Sequence, residues 1–237
     1  MKVISIIVVS LLIVSCNTEF HDSISGNGKV NSRTVGTDTI SRLIISDKLD
    51  AVIIPSAETK VELIADENLH DIISCEINRG ILKVTTDKFI RMAKSKEVWI
   101  YTPCISQIEA SAKSSVNIRD SLSCDDLNVI TSSAAEVRIN GSFETLTVNA
   151  SSGSAVHIAG KTAYLNINAS SASDIFAFDL KTIETDVSAS SAADVRITVK
   201  DKARFSASSA SDIRYRGEPV ILDSRSSSLG DIRRVKF

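Results

Sequence analysis

Seven times between Ala110 and Ile232 the chain returns to one phrase, a run of Ala and Ser that in its fullest form closes on an acidic residue and a β-branched apolar one. It reads ASAKSSV from Ala110, TSSAAEV from Thr131, ASSGSAV from Ala150, ASSASDI from Ala169, ASSAADV from Ala189, ASSASDI from Ala207 and a looser RSSSLGDI from Arg225. The closing residues Val116, Val137, Val156, Ile175, Val195, Ile213 and Ile232 are separated by 21, 19, 19, 20, 18 and 19 positions. That period is too short for helical-hairpin repeats and suits one coil of a β-solenoid, in which each coil buries its apolar face only by stacking on its neighbours. An all-β chain with coils of about 19–20 residues follows, its repeats rising about 30 Å at roughly 4.8 Å per coil.

Within each repeat, side chains on a strand change face at every step. Val137 and Ile139 therefore face one way, as do Val156 with Ile158 and Val195 with Ile197. Ahead of the small-residue run, Leu127 with Val129, Leu146 with Val148 and Leu165 with Ile167 do the same. Two short strands per coil enclose a stacked aliphatic core, and the Ala/Ser run makes the tight corner between them. Glycine is missing from most corners, which argues against a calcium-binding β-roll. The outward positions carry Glu136 and Arg138, Asp194 and Arg196, Asp212 and Arg214, and Asp231 and Arg233, each pair two apart on one face. Stacked, they form a column of acids beside a column of arginines that can interleave opposite charges. Asp174 is followed by Phe176 instead of Arg, and Ala155 with His157 also interrupts the pattern. The face reads either as a solvated salt-bridge surface that keeps the sheet soluble or as a ligand strip.

The first half is less regular. Strands are expected at Leu43 to Ile45, Ala51 to Ile54, Val61 to Ile64, Ile81 to Val84 and Val98 to Tyr101, with a helical turn or two at Asp66 to Ile73 and a tight turn at Asn78-Arg79-Gly80. With three prolines and no long spacer, residues 28–237 read as one domain: an irregular part, 28–107, and the regular repeats, 108–237.

Residues 1–15 hold one positive residue, Lys2, and an apolar run too short to span a bilayer, the pattern of a secretory signal. The run closes on Ile13-Val14-Ser15-Cys16, which resembles the bacterial lipobox; Cys16 is the expected lipidation site and 16–27 a flexible tether. These residues point to a cell-envelope protein held at the outer membrane through its lipid, on either the periplasmic or the surface side. The net charge of −2 provides no basic patch for nucleic acid. Cys75, Cys104 and Cys124 are odd in number; Cys104 and Cys124 lie one coil apart, close enough for a disulfide, and are read in preference as buried small hydrophobes.

GNGKV at Gly26 to Val30, ADENL at Ala65 to Leu69 and the ASSASDI-type corners are similar to the bacterial family called the putative autotransporter adhesin head, or GIN, domain. The resemblance covers Gly26 to Phe237. It implies a right-handed parallel β-helix of two sheets, shaped like pectin lyases without their catalytic groups, a suggested role in cell adhesion, and Bacteroidota lipoproteins as kin. Relatives carry glycine-rich corners where this chain has Ser-Ser-Ala-Ser-Asp.

His21, His70 and His157 are scattered and form no metal spacing, and no nucleophile motif or phosphate loop occurs, so neither a cofactor nor a metal is expected. Asp174, Asp194 and Asp212 with Arg196 and Arg214 could mimic a polysaccharide lyase or hydrolase, but they follow the repeat instead of breaking it. The reading carried forward is a non-catalytic, adhesin-like binding protein that engages a glycan or an envelope or host protein. A periplasmic structural or envelope-stress protein without ligand stands as the alternative.

Overall fold

The computed structural model describes residues 22–236, so the signal segment, Cys16 and the tether up to residue 21 lie outside the described residues. In chain order the first nine strands are β1 (Ser23–Ile24), β2 (Val30–Gly36), β3 (Arg42–Ile45), β4 (Asp50–Pro55), β5 (Lys60–Asp66), β6 (Ile73–Asn78), β7 (Ile81–Thr86), β8 (Phe89–Ile90) and β9 (Lys96–Thr102). The remainder are β10 (Gln107–Ala110), β11 (Ser115–Ile118), β12 (Leu122–Thr131), β13 (Glu136–Ala150), β14 (Ala155–Ala169), β15 (Asp174–Ala189), β16 (Asp194–Ala207), β17 (Asp212–Arg216), β18 (Ile221–Ser226) and β19 (Asp231–Arg234). They build an all-β solenoid of about seven turns.

Parallel pairing runs along two columns separated by the corners. Before the corner the order is β7, β3, β10, β12 and then the later halves of the long strands to β18; after it the order is β9, β4, β11, the early halves of the long strands, β17 and β19. The strands β13 to β16 are 14 to 16 residues long because each crosses the far bend of its coil without losing its ladder. Variation in coil length is absorbed at that bend: register slips between Ala177 and Lys181, while Asp174 stays opposite Asp194 and Ser188 opposite Ser206. Gly160 belongs to the same bend at φ 113°, where an added Cβ would lie 1.9 Å from the Gly141 carbonyl oxygen. Only glycine fits so close a coil-to-coil approach.

The core follows the alternation. Val116, Val137, Val156, Ile175, Val195 and Ile213 are fully buried, as are Val129, Leu146 and Val148, whereas Ile232 in the terminal coil is half-buried.

The corners explain how serine and alanine replace glycine. Eight four-residue turns, at 46–49, 111–114, 132–135, 151–154, 170–173, 190–193, 208–211 and 227–230, each close with a hydrogen bond from the fourth N–H to the first carbonyl. Their central pairs all have φ between 48° and 68°, both residues left-handed, as in a type I′ turn. For L-residues that conformation costs about 1–2 kcal/mol each. The stack offsets it with a second ladder, in which the third turn residue donates its N–H to the second turn residue's carbonyl one coil further on. Seven such bonds, from Lys48 to Ala112 through Ala210 to Ser228, span 2.9–3.1 Å. Buried fourth-position serines add to it: the Ser173 hydroxyl donates to the Ala150 carbonyl at 3.1 Å and that of Ser211 to Ala189 at 2.9 Å.

The first half joins the same stack. The corner at 46–49, between β3 and β4, rests directly on that at 111–114, although 65 positions separate them. The intervening chain folds back: β5 runs antiparallel to both β9 and β2, and β6 antiparallel to β7, so antiparallel strands bound one end of the parallel stack.

At 66–73 the structure has the shorter of the expected forms, one 3-10 turn at Glu67–Leu69, because Asp66 is bound by backbone amides elsewhere and Ile73 is claimed by the ladder to β7. Two expectations change. The tether is not free to residue 27: Ser23–Ile24 pairs with Phe89–Ile90, and the Gly26 N–H bonds to the Met92 carbonyl at 2.8 Å. Cys104 and Cys124, with Cα atoms 5.6 Å apart, form a disulfide instead of packing as two thiols, since stacking coils sets that separation. Cys75 remains a thiol, and burial pushes its pKa up to about 11.

Candidate functional site

Strict register turns one outward position per coil into a continuous column. After the corners, Glu136, Ala155, Asp174, Asp194, Asp212 and Asp231 are successive Cα partners. Two residues on, Arg138, His157, Phe176, Arg196, Arg214 and Arg233 form the neighbouring column. The structure thus brings all nine sequence-predicted charged residues onto one face.

Their charges largely satisfy one another. Arg138 pairs with Glu136; Arg196 lies 3.2 Å from Asp194; Arg214 bridges Asp194 at 3.2 Å and Asp212; Arg233 bridges Asp212 at 2.8 Å and Asp231 at 3.0 Å. Among the described residues Asp174 is the acid of the set outside this ion-pair chain. The two interruptions in the pattern are bridged by ring stacking. His157 stacks on Phe176 with centroids 4.6 Å apart, and the Arg196 guanidinium lies 4.9 Å over the other side of the same ring. Burial, with the Arg138 guanidinium adding to it, holds His157 below its ordinary pKa despite Glu136 and Asp174, so the ring is neutral at pH 7. The arrangement is a cross-braced ladder. Arg214→Ala is expected to lower stability by about 1 kcal/mol, less in high salt, because it leaves Asp194 and Asp212 facing each other in adjacent coils; urea melts at two salt concentrations measure it.

Before the corners, a second column carries Ile130, Asn149, Asn168, Ser188 and Ser206, uncharged residues between Glu109 and Arg225. Asn168 donates its amide to Asn149 at 3.0 Å, and Asn149 to Asn128 at 3.4 Å. Ser188 and Ser206 continue the line from Asn168. Asn149, Asn168, Ser188 and Ser206 line a shallow trough of about 410 Å³ that runs beside the corners. A parallel column runs from Gln107 through Asn128, Thr147, Asn166, Asp186 and Arg204 to Asp223, with Arg204 3.0 Å from Asp186 and 3.9 Å from Asp223.

A third site escaped the sequence reading and accounts for its two short motifs. Asp66 of ADENL is fully buried, and its carboxylate accepts N–H bonds from Gly28 at 2.9 Å, Ser95 at 3.0 Å and Lys94 at 3.1 Å. Burial by itself would raise its pKa, but these three donors hold it below the ordinary 3.8. Around it the Asn27 N–H donates to the Asn68 side chain at 2.9 Å, and the Glu67 N–H to the Lys29 carbonyl at 2.8 Å. A Cβ on Gly26 would lie 2.0 Å from the Asp66 carboxylate. GNGKV and ADENL are therefore the two halves of a clasp. Its signal was the pair of motifs; the acceptor role of Asp66 needed the fold.

No group of three or more His, Cys, Asp or Glu that could hold a metal occurs among the described residues. No helix among them is long and apolar enough to cross a membrane.

A family model described as "Putative auto-transporter adhesin, head GIN domain" matches residues 39–219, more than half of the chain. The solved structure of a putative adhesin from Bacteroides fragilis aligns with a TM-score of 0.84 at 18% identity, covering 90% of this chain and all of that one. A putative adhesin from Parabacteroides merdae aligns at 0.73 with 19% identity, and a putative lipid binding protein from Parabacteroides distasonis at 0.74 with 16% identity; each covers 91% of this chain and 100% of its own. No curated protein matches the chain.

Proposed function

The chain belongs to the putative auto-transporter adhesin, head GIN domain family, and from that premise we propose that it is a non-catalytic, adhesin-like lipoprotein of the cell envelope. Its outward columns engage an extended partner, a glycan or an envelope or host protein. The observation that carries this is the unbroken register: Asn149, Asn168, Ser188 and Ser206 present polar groups once per coil along an open trough. A partner with its own repeat gains from each added contact, so weak sites sum. The descriptions attached to its kin, adhesins and in one case a lipid binding protein, supply no catalytic precedent. The anchor is Cys16, on the lipobox-like Val14-Ser15-Cys16, and the Cys104–Cys124 disulfide suits an oxidising compartment.

The expected result is a mature N-terminus at Cys16 bearing acyl chains by mass spectrometry, membrane release in Cys16→Ala, cleavage by protease added to intact cells, and a hit in a glycan and matrix-protein screen. Full protection in intact cells together with an empty screen would remove the adhesin reading. One observation favours the second reading, a structural envelope protein without ligand: the Asp/Arg face spends its charges internally, with Arg214 and Arg233 each bridging two acids. On that reading the screen stays empty.

A further inference from the structure

Across the far bend, opposite the serine corners, lies an open groove of about 790 Å³. Phe143, Ile183 and Val199 line it; Ile183 is 46% exposed, whereas Phe143 and Val199 are buried. Lys161, Lys181 and Lys200, one from each of three successive coils, stand along the same groove. Lys161 and Lys181 are Cα partners, hence roughly 4.8 Å apart.

These lysines differ from the other stacked cations. Arg138, Arg196, Arg214, Arg233, Arg204 and Lys202 each pair with an acid of their own or a neighbouring coil. Lys161, Lys181 and Lys200 are exposed and make no ion pair among the described residues. Glu144 and Glu218 also line the groove, but Glu218 is taken by Arg234. Like charges directly opposite on adjacent strands repel, so the Lys161–Lys181 pair is costly by itself and is relieved by an anionic occupant. The threonine hydroxyls between the lysines are already used: Thr162 donates to the Tyr164 carbonyl at 3.0 Å, Thr182 to the Thr198 carbonyl, and Thr198 to the Phe178 carbonyl. The groove therefore sets the exposed Ile183 among three lysines that outnumber its one remaining acid, Glu144.

We infer that this groove binds a linear anionic polysaccharide, such as a polyuronate with one carboxylate per ring, laid along the stacking axis. The lysines take the carboxylates and the exposed Ile183 side chain takes a carbon face of the rings. This rests on the adhesin-like reading and names its substrate class and place. The groove is open and spans three coils, with Lys161 and Lys181 in register and Lys200 two residues beyond Thr198, the partner of Lys181, which suits an extended polymer over a single headgroup.

The test titrates the purified protein with polygalacturonate, with dextran as the uncharged polymer, phosphatidylglycerol vesicles as the lipid anion and single-stranded DNA as the nucleic-acid polyanion. Polygalacturonate should bind, dextran should not, and Lys161→Ala/Lys181→Ala/Lys200→Ala should bind at least about tenfold more weakly, with a salt slope shallower by roughly 2. An equal loss of charge elsewhere, Lys29→Ala/Lys83→Ala/Lys113→Ala, should leave binding within about twofold, and both variants should melt like wild type. Equal weakening by the two triple variants, unchanged binding in the groove variant, or preference for vesicles or DNA would overturn the groove assignment. If polygalacturonate binding survives in the groove variant, the adhesin reading stands without this site; if nothing in the wider screen binds wild type, that reading fails first.

Discussion

Val195→Asp is expected to abolish folding. Val195 is fully buried, and its Cα partners on the two adjacent coils, Ile175 and Ile213, are buried as well. A carboxylate there meets aliphatic carbon above, below and across the core, and burying it unpaired costs several kcal/mol even if it protonates. That is a large part of the roughly 5–15 kcal/mol a domain has in total. Because coils stack only on their neighbours, the damage should spread: β15 loses its partner on one side and β17 on the other. Val195→Ala, which removes methyl groups without adding charge, should melt cooperatively at a lower denaturant concentration. A Val195→Asp protein with a wild-type melt would show that the inward and outward positions had been assigned in reverse.

Asp66→Ala is expected to open the other end of the molecule. The substitution removes the shared acceptor of the Gly28, Lys94 and Ser95 N–H groups at a part-buried site, and roughly 1–3 kcal/mol should be lost. Hydrogen exchange should locate the loss, with those three amides and the β1–β8 pair unprotected while the repeats keep their protection. The folded-state pKa of Asp66 lies below its ordinary 3.8, so the ionised form is favoured by folding. Its contribution is present above about pH 4 and is lost as pH falls through the lowered value. Wild type should therefore weaken in that acid range, and Asp66→Asn, which has no proton to gain, should show a flatter decline from a lower starting point. An acid profile of the same shape in both proteins would remove Asp66 from the account.

The corners show how far local pattern reaches. The recurrence of Ala and Ser at 18 to 21 positions, and the period-two alternation of Val137 with Ile139 or Leu146 with Val148, are local properties of the chain. They suffice for coil length, for the inward residues and for the outward Asp and Arg columns. The corner at 46–49 was invisible to the same reading, because Ser-Asp-Lys-Leu shares no letters with Ser-Ser-Ala-Ser beyond the first and sits 65 positions from its neighbour. What unites them is backbone: two left-handed residues and an N–H that meets a carbonyl on the adjacent coil. His157 and Phe176 looked like breaks in a charged column, whereas coil spacing makes them a stacked bridge between Glu136 and Arg196.

By itself, the sequence determined that this chain is a β-solenoid, which residues enter its core and which charges line one face, since those depend on periods read along a single strand. Only the tertiary structure decided which charges are spent on one another and which are left over. Pairing of Arg214 with Asp194 and Asp212, donation to Asp66 by three distant amides, the Cys104–Cys124 disulfide and the isolation of Lys161, Lys181 and Lys200 all depend on distances between coils. Those distances exist only once the coils have stacked.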